Sequence, residues 1–448
     1  MPHCSSSSSP EFSSSDPLRF VSSIPSPFCT VFLFLAAFLQ TVEAVPDLGT
    51  AGTQVAKLKE IVPSGRDIHV GVDAKTIQEA IKMAQPGDTI HLEPIVYRDY
   101  AGFYAKKGEL GKPVIFDGHG ATLEGSDPID LEKWREVEPG LFANDALLPR
   151  LDEVILSRWF FVWNGEMNHM GRTSKGKKAP FKKLQDLQPG EWTFVVDTER
   201  SQASSKQLFG TFYLKIPPGE KLAAANISAP MRSAGVQLSG DNAHLIIRNI
   251  TATHPYNDGF NIHGDCRDVV FENIRAIECG DDGISAHESA EYRVEGLVSI
   301  GNSTGITDTV AAQTSYKNVF IADCHAYDLF FLNNGRYKLE NAVVWSTSQH
   351  PLTIDAAANE HVELDLENVL IRRADKTDPA LVQKNATLRA ARLTLENMEM
   401  TVRGVASFEN CLVNGKMLPE GVVATGADKA SLIRQLVPSA YQARFRQP

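Results

Sequence analysis

Short apolar–polar alternations recur along the middle of the chain. LIIRNITAT (245–253), VVFENIRAI (269–277), YRVEGLVSI (292–300), YKNVFIAD (316–323), YKLENAVVW (337–345) and LDLENVLIR (364–372) align on Asn249, Asn273, Gly296, Asn318, Asn341 and Asn368. Successive spacings of those positions are 24, 23, 22, 23 and 27 residues. Near-alternation over so few residues, with Gly, Asp, Asn and His gathered between the runs, predicts short strands bounded by turns. A strand-built repeat of this length has few physical solutions. Leucine-rich repeats need a Leu-x-x-Leu-x-Leu frame that is absent, and propeller blades need about 40 residues. The pattern predicts an all-β chain, a right-handed parallel β-helix whose coils of three short strands stack about 4.8 Å apart. A β-sandwich with coincidental spacing is the competing arrangement. In the solenoid, the recurring Asn should form a ladder inside a turn, each amide bonding the one above and below.

The ends fit the same architecture. TIQEAIKMA (76–84) places Ile77, Ala80, Ile81 and Ala84 on one helical face, and Pro86-Gly87-Asp88 then turns the chain into a strand from Thr89. A solenoid needs such a helix, because its first coil exposes core. Val114–Gly118 reads as a following coil, and residues 429–446 as a helix and tail over the last one. Residues ~156–232 break the period and read as a strand-rich insertion, with a separate domain as the alternative. The organisation expected is thus a leader over 1–44, a linker over 45–65, the β-helix over 66–415 and a C-terminal helix and tail over 416–448.

Composition narrows the class only a little. The chain has 448 residues, 43% of them hydrophobic, and a formal net charge of −11. An acidic chain argues against a nucleic-acid partner. FCTVFLFLAAFLQ (28–40) is the one strongly apolar run, too short to span a bilayer easily. With Val42-Glu43-Ala44 behind it, it reads as a signal-peptide core cleaved after Ala44, although the Ser-rich stretch before it is long for such a leader. A secreted, periplasmic or surface-bound monomer with no transmembrane segment is expected. Of six cysteines, Cys4 and Cys29 would leave with the leader. Cys266, Cys279, Cys324 and Cys411 lack the paired spacing of a zinc site. Cys279 and Cys324 fall at one phase two coils apart, about 9.6 Å, too far for a disulfide.

The candidate chemistry lies in two matching turns, Tyr256-Asn257-Asp258-Gly259-Phe260-Asn261-Ile262-His263 and Gly280-Asp281-Asp282-Gly283-Ile284-Ser285-Ala286-His287. The matched positions are 24 apart. Asp258 should therefore lie under Asp282, Asn257 under Asp281 and His263 under His287. Carboxylates so close repel, so at least one should hold a proton near neutral pH and the set should titrate together. Glycoside hydrolysis requires that combination, a protonated acid beside an ionised carboxylate.

On these residues the chain resembles the polygalacturonase family of pectin-degrading enzymes, also right-handed β-helices, within the pectin lyase-like superfamily. Asp258 matches the aspartate of that family's NTDG turn, and Asp281 and Asp282 match its DD pair. The resemblance implies hydrolysis of a polyuronide by these three aspartates. It covers about 256–288 in motif terms, and departs elsewhere. Tyr256 replaces the leading Asn, Thr304 stands where a GHG histidine would fall, and the next coil, Tyr327–Leu332, has no RIK. His263 and His287 are candidates to take the histidine's part.

Other readings of the same residues stay open. The aspartates could be turn residues bonding backbone N–H groups, or a Ca²⁺ site of clustered hard oxygens; otherwise no cofactor is expected. The histidines could be a plain stacked pair, and Glu288 a solvated charge. The basic run Arg172–Lys183, with Lys175, Lys177 and Lys178, could capture an anionic glycan or be a solvated loop. Trp163, His169 and Phe181 beside it could stack sugars or form core. Tyr256, Asn257, Asn261 and Glu288 are candidate substrate contacts. Three functions follow: a glycoside hydrolase with Asp282 as acid and Asp258 and Asp281 activating water or attacking the sugar, a polysaccharide lyase drawing on Lys317, Arg336, Lys338 or the histidines, and a non-catalytic glycan-binding β-helix.

Overall fold

The computed structural model describes residues 65–148, 151–202, 207–375 and 379–445. The expected leader, Cys4 and Cys29 within it, and most of the expected linker lie outside the described residues. Within them, no helix is long and apolar enough to cross a membrane.

The chain winds as a right-handed parallel β-helix. One sheet takes a long strand from each coil, among them Val114–Glu124, Ala243–Thr253, Arg267–Ile277, Glu291–Ile300, Gln313–Ala322, Arg336–Ser346, Val362–Arg373 and Ala386–Glu396. A second, all-parallel sheet takes the short strands Ala101–Tyr104, Val236–Ser239, Phe260–Ile262, Asp282–Ala286, Thr304–Asp308, Tyr327–Leu332, His350–Asp355, Ala380–Val382 and Met400–Val402. The third side of each coil comes from a bend inside the long strand. Asn249, Asn273, Asn318, Asn341 and Asn368 have φ between 51° and 58°, and Gly296 has φ 90°. Asn tolerates that left-handed conformation better than most residues. The expected ladder is present: Asn273 donates to Asn249 (3.0 Å), Asn341 to Asn318 (3.4 Å) and Asn368 to Asn341 (2.9 Å). Gly296 interrupts it, and Glu295 takes the missing place by accepting from Asn318.

Strict two-residue alternation in the short strands sorts side chains into rows. Val236, Phe260, Ile284, Ile306, Leu329 and Leu352 form an inward row with essentially no exposure. Gly102, Gln237, Asn261, Ser285, Thr307, Phe330 and Thr353 form the outward row beside it. Asp308 occupies an inward position, where Tyr292, Thr314 and Tyr316 donate to it and burial pushes its pKa up to about 7. The free thiols of Cys266, Cys279, Cys324 and Cys411 are all buried.

The helix Ile77–Met83 begins at Thr76, whose hydroxyl accepts from Glu79 N, and buries Ile77, Ala80 and Ile81 in the solenoid core. The C-terminal segment differs from expectation. Its helices Lys429–Leu436 and Ser439–Gln442 do not cover the last coil. They double back along the flank and bury Leu432, Leu436, Tyr441 and Phe445 against Ile277, Ile300, Phe320, Val343 and Leu370 from several successive coils. Those outward apolar side chains are the physical reason, since a lone end cap would leave them in water.

The insertion also departs from its expected start. Antiparallel pairing of Ser126–Pro128 with Ser228–Pro230 places the exit directly after the strand ending at Glu124, upstream of 156. Two four-stranded antiparallel sheets follow. They enclose a separate core containing Trp134, Trp159, Phe161, Trp192, Phe194 and Phe212.

Candidate active site

The 24-residue register puts Asp258 beneath Asp282, as the pairs Phe260↔Ile284 and Asn261↔Ser285 require. Gly259 permits this close stacking, because a Cβ there would lie 2.8 Å from both Ala276 Cβ and Gly283 O. Asp258 accepts from Asp282 N (3.0 Å) and from the Ser285 hydroxyl (2.7 Å). Asp282 accepts from Thr307 Oγ1 (2.9 Å). Ligand oxygens of Asp258, Asp281 and Asp282 all lie within 4.8 Å of one another.

Although turns rich in Asp and Gly usually face solvent, these carboxylates do not face open water. Asp258 is 3% exposed, Asp281 8% and Asp282 3%. The insertion covers them. Arg158 Nη1 donates to Asp281 Oδ2 at 2.7 Å, Ser174 Oγ donates to Asp281 Oδ1, and Lys175 Nζ lies 2.5 Å from both Asp281 Oδ1 and Asp282 Oδ1. This arrangement separates the three proton affinities. Burial and the Asp281 charge push Asp258 up to about 6 and Asp282 well above the usual carboxylate range. Burial also acts on Asp281, but the Lys175 and Arg158 charges outweigh it and hold that carboxyl at about 2. Asp281 is thus the most acidic of the three, and Asp282 is the member driven toward holding a proton. The three could ligate a hard divalent cation, yet the Lys175 ammonium already sits against two of them.

The basic run is therefore a fastened strap. Its segment 173–177 crosses the turns of successive coils. Thr173 bonds Ser303, Lys177 N donates to Gln349 Oε1 (2.6 Å), and Gln349 Nε2 donates back to Lys177 O (2.5 Å). The rings of His169 and His325 stack at 4.0 Å, and the Arg172 guanidinium lies 3.6 Å over Phe181. The Lys177 and Lys178 residues remain exposed. Trp163 and Phe181 pack on the insertion core.

Other sequence-derived candidates fall elsewhere. His263 and His287 do stack, with centroids 4.2 Å apart and rings 1° from parallel, and His263 bonds Glu288 at 3.1 Å. They follow the short strands, whereas Asp258 precedes one strand and Asp282 opens the next, five residues away, which is about 16 Å of extended chain. They are not in position to replace a histidine at the carboxylates. Glu288 stays with the His pair. Burial and the neighbouring His263 hold His287 down to about 4, so it is neutral. Asn261 lies in the outward row three residues after Asp258, its Oδ1 3.4 Å from the Ser285 Oγ that also bonds Asp258. Asn257 contributes backbone, its carbonyl accepting from Asp281 N (3.0 Å). Tyr256 packs against the insertion core instead of facing a groove. Lys317 lies in the long-strand sheet, paired with Glu340 at 3.0 Å, and Lys338 pairs with the same Glu340 at 3.3 Å. Arg336 opens a strand of that sheet, beyond the far end of the short strand Tyr327–Leu332. None of these three adjoins the carboxylates.

Four polar residues at the cluster escaped the sequence reading. Ser285 and Thr307 were accessible to it, since they occupy matched outward positions in the repeat. Arg158 and Ser174 carried no signal, because they reach Asp281 from 123 and 107 residues away.

No family model matches the sequence, and no curated protein matches it. Among solved structures, the chain is similar to XylC in complex with xylose, with a TM-score of 0.45 and 13% identity over 74% of this chain and 69% of that one. It is also similar to pectate lyase Pel9A, with a TM-score of 0.42 and 12% identity over 78% and 79% of the two chains. The Family 28 exopolygalacturonase of Yersinia enterocolitica gives 0.32 and 12% over 80% and 79%. At these identities the likeness is one of fold.

Proposed function

We propose that this chain is a carbohydrate-active enzyme that hydrolyses glycosidic bonds of an anionic polysaccharide at Asp258, Asp281 and Asp282, and that it is secreted. The observation that carries the reading is a buried cluster of three carboxyls whose oxygens lie within 4.8 Å, in surroundings that drive their proton affinities apart. Asp282 holds the proton that a leaving glycosidic oxygen needs. Asp258, with the higher proton affinity of the remaining two, is the better base toward water. Asp281 accepts from Arg158, Ser174 and Lys175 and is too acidic for that task. It is suited to stabilise positive charge developing on the sugar. Lys175 closes the cluster and must withdraw for a sugar to enter. A uronate or sulfate group supplies an alternative counter-ion for that ammonium, which is why an anionic substrate is proposed.

A lyase would need a base for the proton next to the carboxylate. The Asp281 charge keeps Lys175 protonated against its burial, so it does not serve. A second reading draws on the burial and pairing themselves, in which the cluster is a static clasp fastening the insertion to the solenoid. A product screen of the purified protein against uronic and sulfated polysaccharides separates these. New reducing ends that disappear in Asp282→Asn support hydrolysis. Ultraviolet absorbance from an unsaturated product would establish a lyase, and turnover unchanged in Asp282→Asn would remove the cluster from catalysis.

A further inference from the structure

A cavity of about 280 Å³ opens beside the cluster, lined by Tyr100, Tyr104, Arg232, Ser233 and Gln237 among others. Residues 232–233 form the turn one rung before the Asp258 turn, since Tyr256 N donates to Arg232 O (2.9 Å) and Asn257 N to Ser233 O (3.1 Å). Gln237 stands in the outward row between Gly102 and Asn261. The cavity is therefore one to two rungs from Asp258, roughly 5–10 Å at the spacing of stacked strands.

Its walls have a particular chemistry. Tyr100 and Tyr104 converge over Gly102, where a Cβ would lie 2.7 Å from Tyr104 Cε2 and 2.9 Å from Tyr100 Cε2. The glycine thus allows two rings to sit against the sheet as an aromatic wall. Tyr104 is nevertheless 58% exposed among the described residues. Arg232 uses Nη1 on one side, toward Asp127 (2.9 Å) and Gly125 O (3.4 Å). Its Nε and Nη2 have no partner among the described residues. A guanidinium edge beside aromatic faces suits a pyranose that carries a carboxylate or a sulfate, stacking the ring and pairing the anion.

We propose that Tyr100, Tyr104 and Arg232 form a binding subsite for an acidic sugar, adjoining the carboxylate cluster on the side of the short-strand sheet that precedes it. This rests on the reading of that face as glycan-binding, and deepens it by assigning the charge of one bound unit. Uronates and sulfated sugars share the required chemistry.

Isothermal titration tests it on the full chain, wild type and Asp282→Asn. The probes are length-matched oligosaccharides of galacturonate, of sulfated galactose and of neutral xylose. One or both anionic probes should bind more tightly than the neutral one, and their order identifies the anion. Tyr104→Ala should weaken the anionic probe by about tenfold or more, whereas Tyr104→Phe keeps the ring and the affinity. Arg232→Gln should bring anionic and neutral affinities together, with Arg232→Lys intermediate because it keeps charge without the fork. Tyr104 is exposed, so its removal leaves folding intact. Affinity unchanged in Tyr104→Ala, equal binding of the neutral probe, or no binding of either anionic probe overturns the proposal. Ring-dependent binding of an anionic probe by a wild-type protein that hydrolyses nothing would instead overturn the hydrolase and leave the subsite standing.

Discussion

At the scale of single residues, the chain places ionisable groups where neighbours decide their charge. Asp281 and Asp282 are adjacent in sequence, yet their surroundings drive their proton affinities in opposite directions. Asp281→Asn removes the charge that faces Arg158 and Lys175, and should cost about 3 kcal/mol, as breaking a buried pair does. Asp282→Asn replaces a neutral acid by a neutral amide of the same shape, and should cost under about 1 kcal/mol. Urea unfolding measures both, and equal losses would mean that Asp282 is ionised in the folded protein. His254 offers a second test. It lies between Glu124 (3.0 Å) and Glu278 (3.2 Å), whose backbone partners Ser126 and Met167 belong to the insertion. Burial opposes its charge, but the two carboxylates win and push its pKa up to about 9. A raised folded pKa stabilises in full below the unfolded value near 6.5 and is lost as pH rises through about 9, at most about 3 kcal/mol. The melting temperature should fall between pH 7 and 9.5, and His254→Gln should flatten that fall.

Among elements, the bend in each long strand does the most to shape the coil. One left-handed residue turns a strand from one side of the solenoid to the next, and its amide links coils. Asn273→Ala loses the bond to Asn249 and sets alanine, which tolerates a left-handed backbone less well than asparagine, at φ 51°, a combined cost of about 2–3 kcal/mol. Asn273→Gly keeps the permitted backbone and should cost less, which is the arrangement the chain already uses at Gly296. Chemical denaturation of the pair checks the order. The ladder was legible because Asn recurs at the coil period. The φ values and the Glu295 substitution were not, since they depend on which neighbour fills a gap left by a glycine.

For the whole molecule, the flank and the insertion complete what the solenoid leaves open. Residues 427–445 cover an apolar stripe made of one or two side chains from each of several coils. Buried side chains of this kind contribute roughly 1.5–3 kcal/mol each. A chain ending before Ala427 should melt earlier and bind a hydrophobic dye more strongly, and unchanged dye binding would show the stripe to be covered otherwise. The stripe was invisible as a feature, because its members lie in separate repeats and read there as ordinary strand residues. The sequence by itself determined the coil, the row each side chain joins and the stacking of Asp258 beneath Asp282, because a fixed period with two-residue alternation leaves one register. Only the tertiary structure decided that those carboxyls are buried, that Lys175 and Arg158 fix which of them is charged, and that Tyr100, Tyr104 and Arg232 meet beside them. Those contacts join segments more than 100 residues apart, and no local pattern encodes the distance at which an insertion folds back.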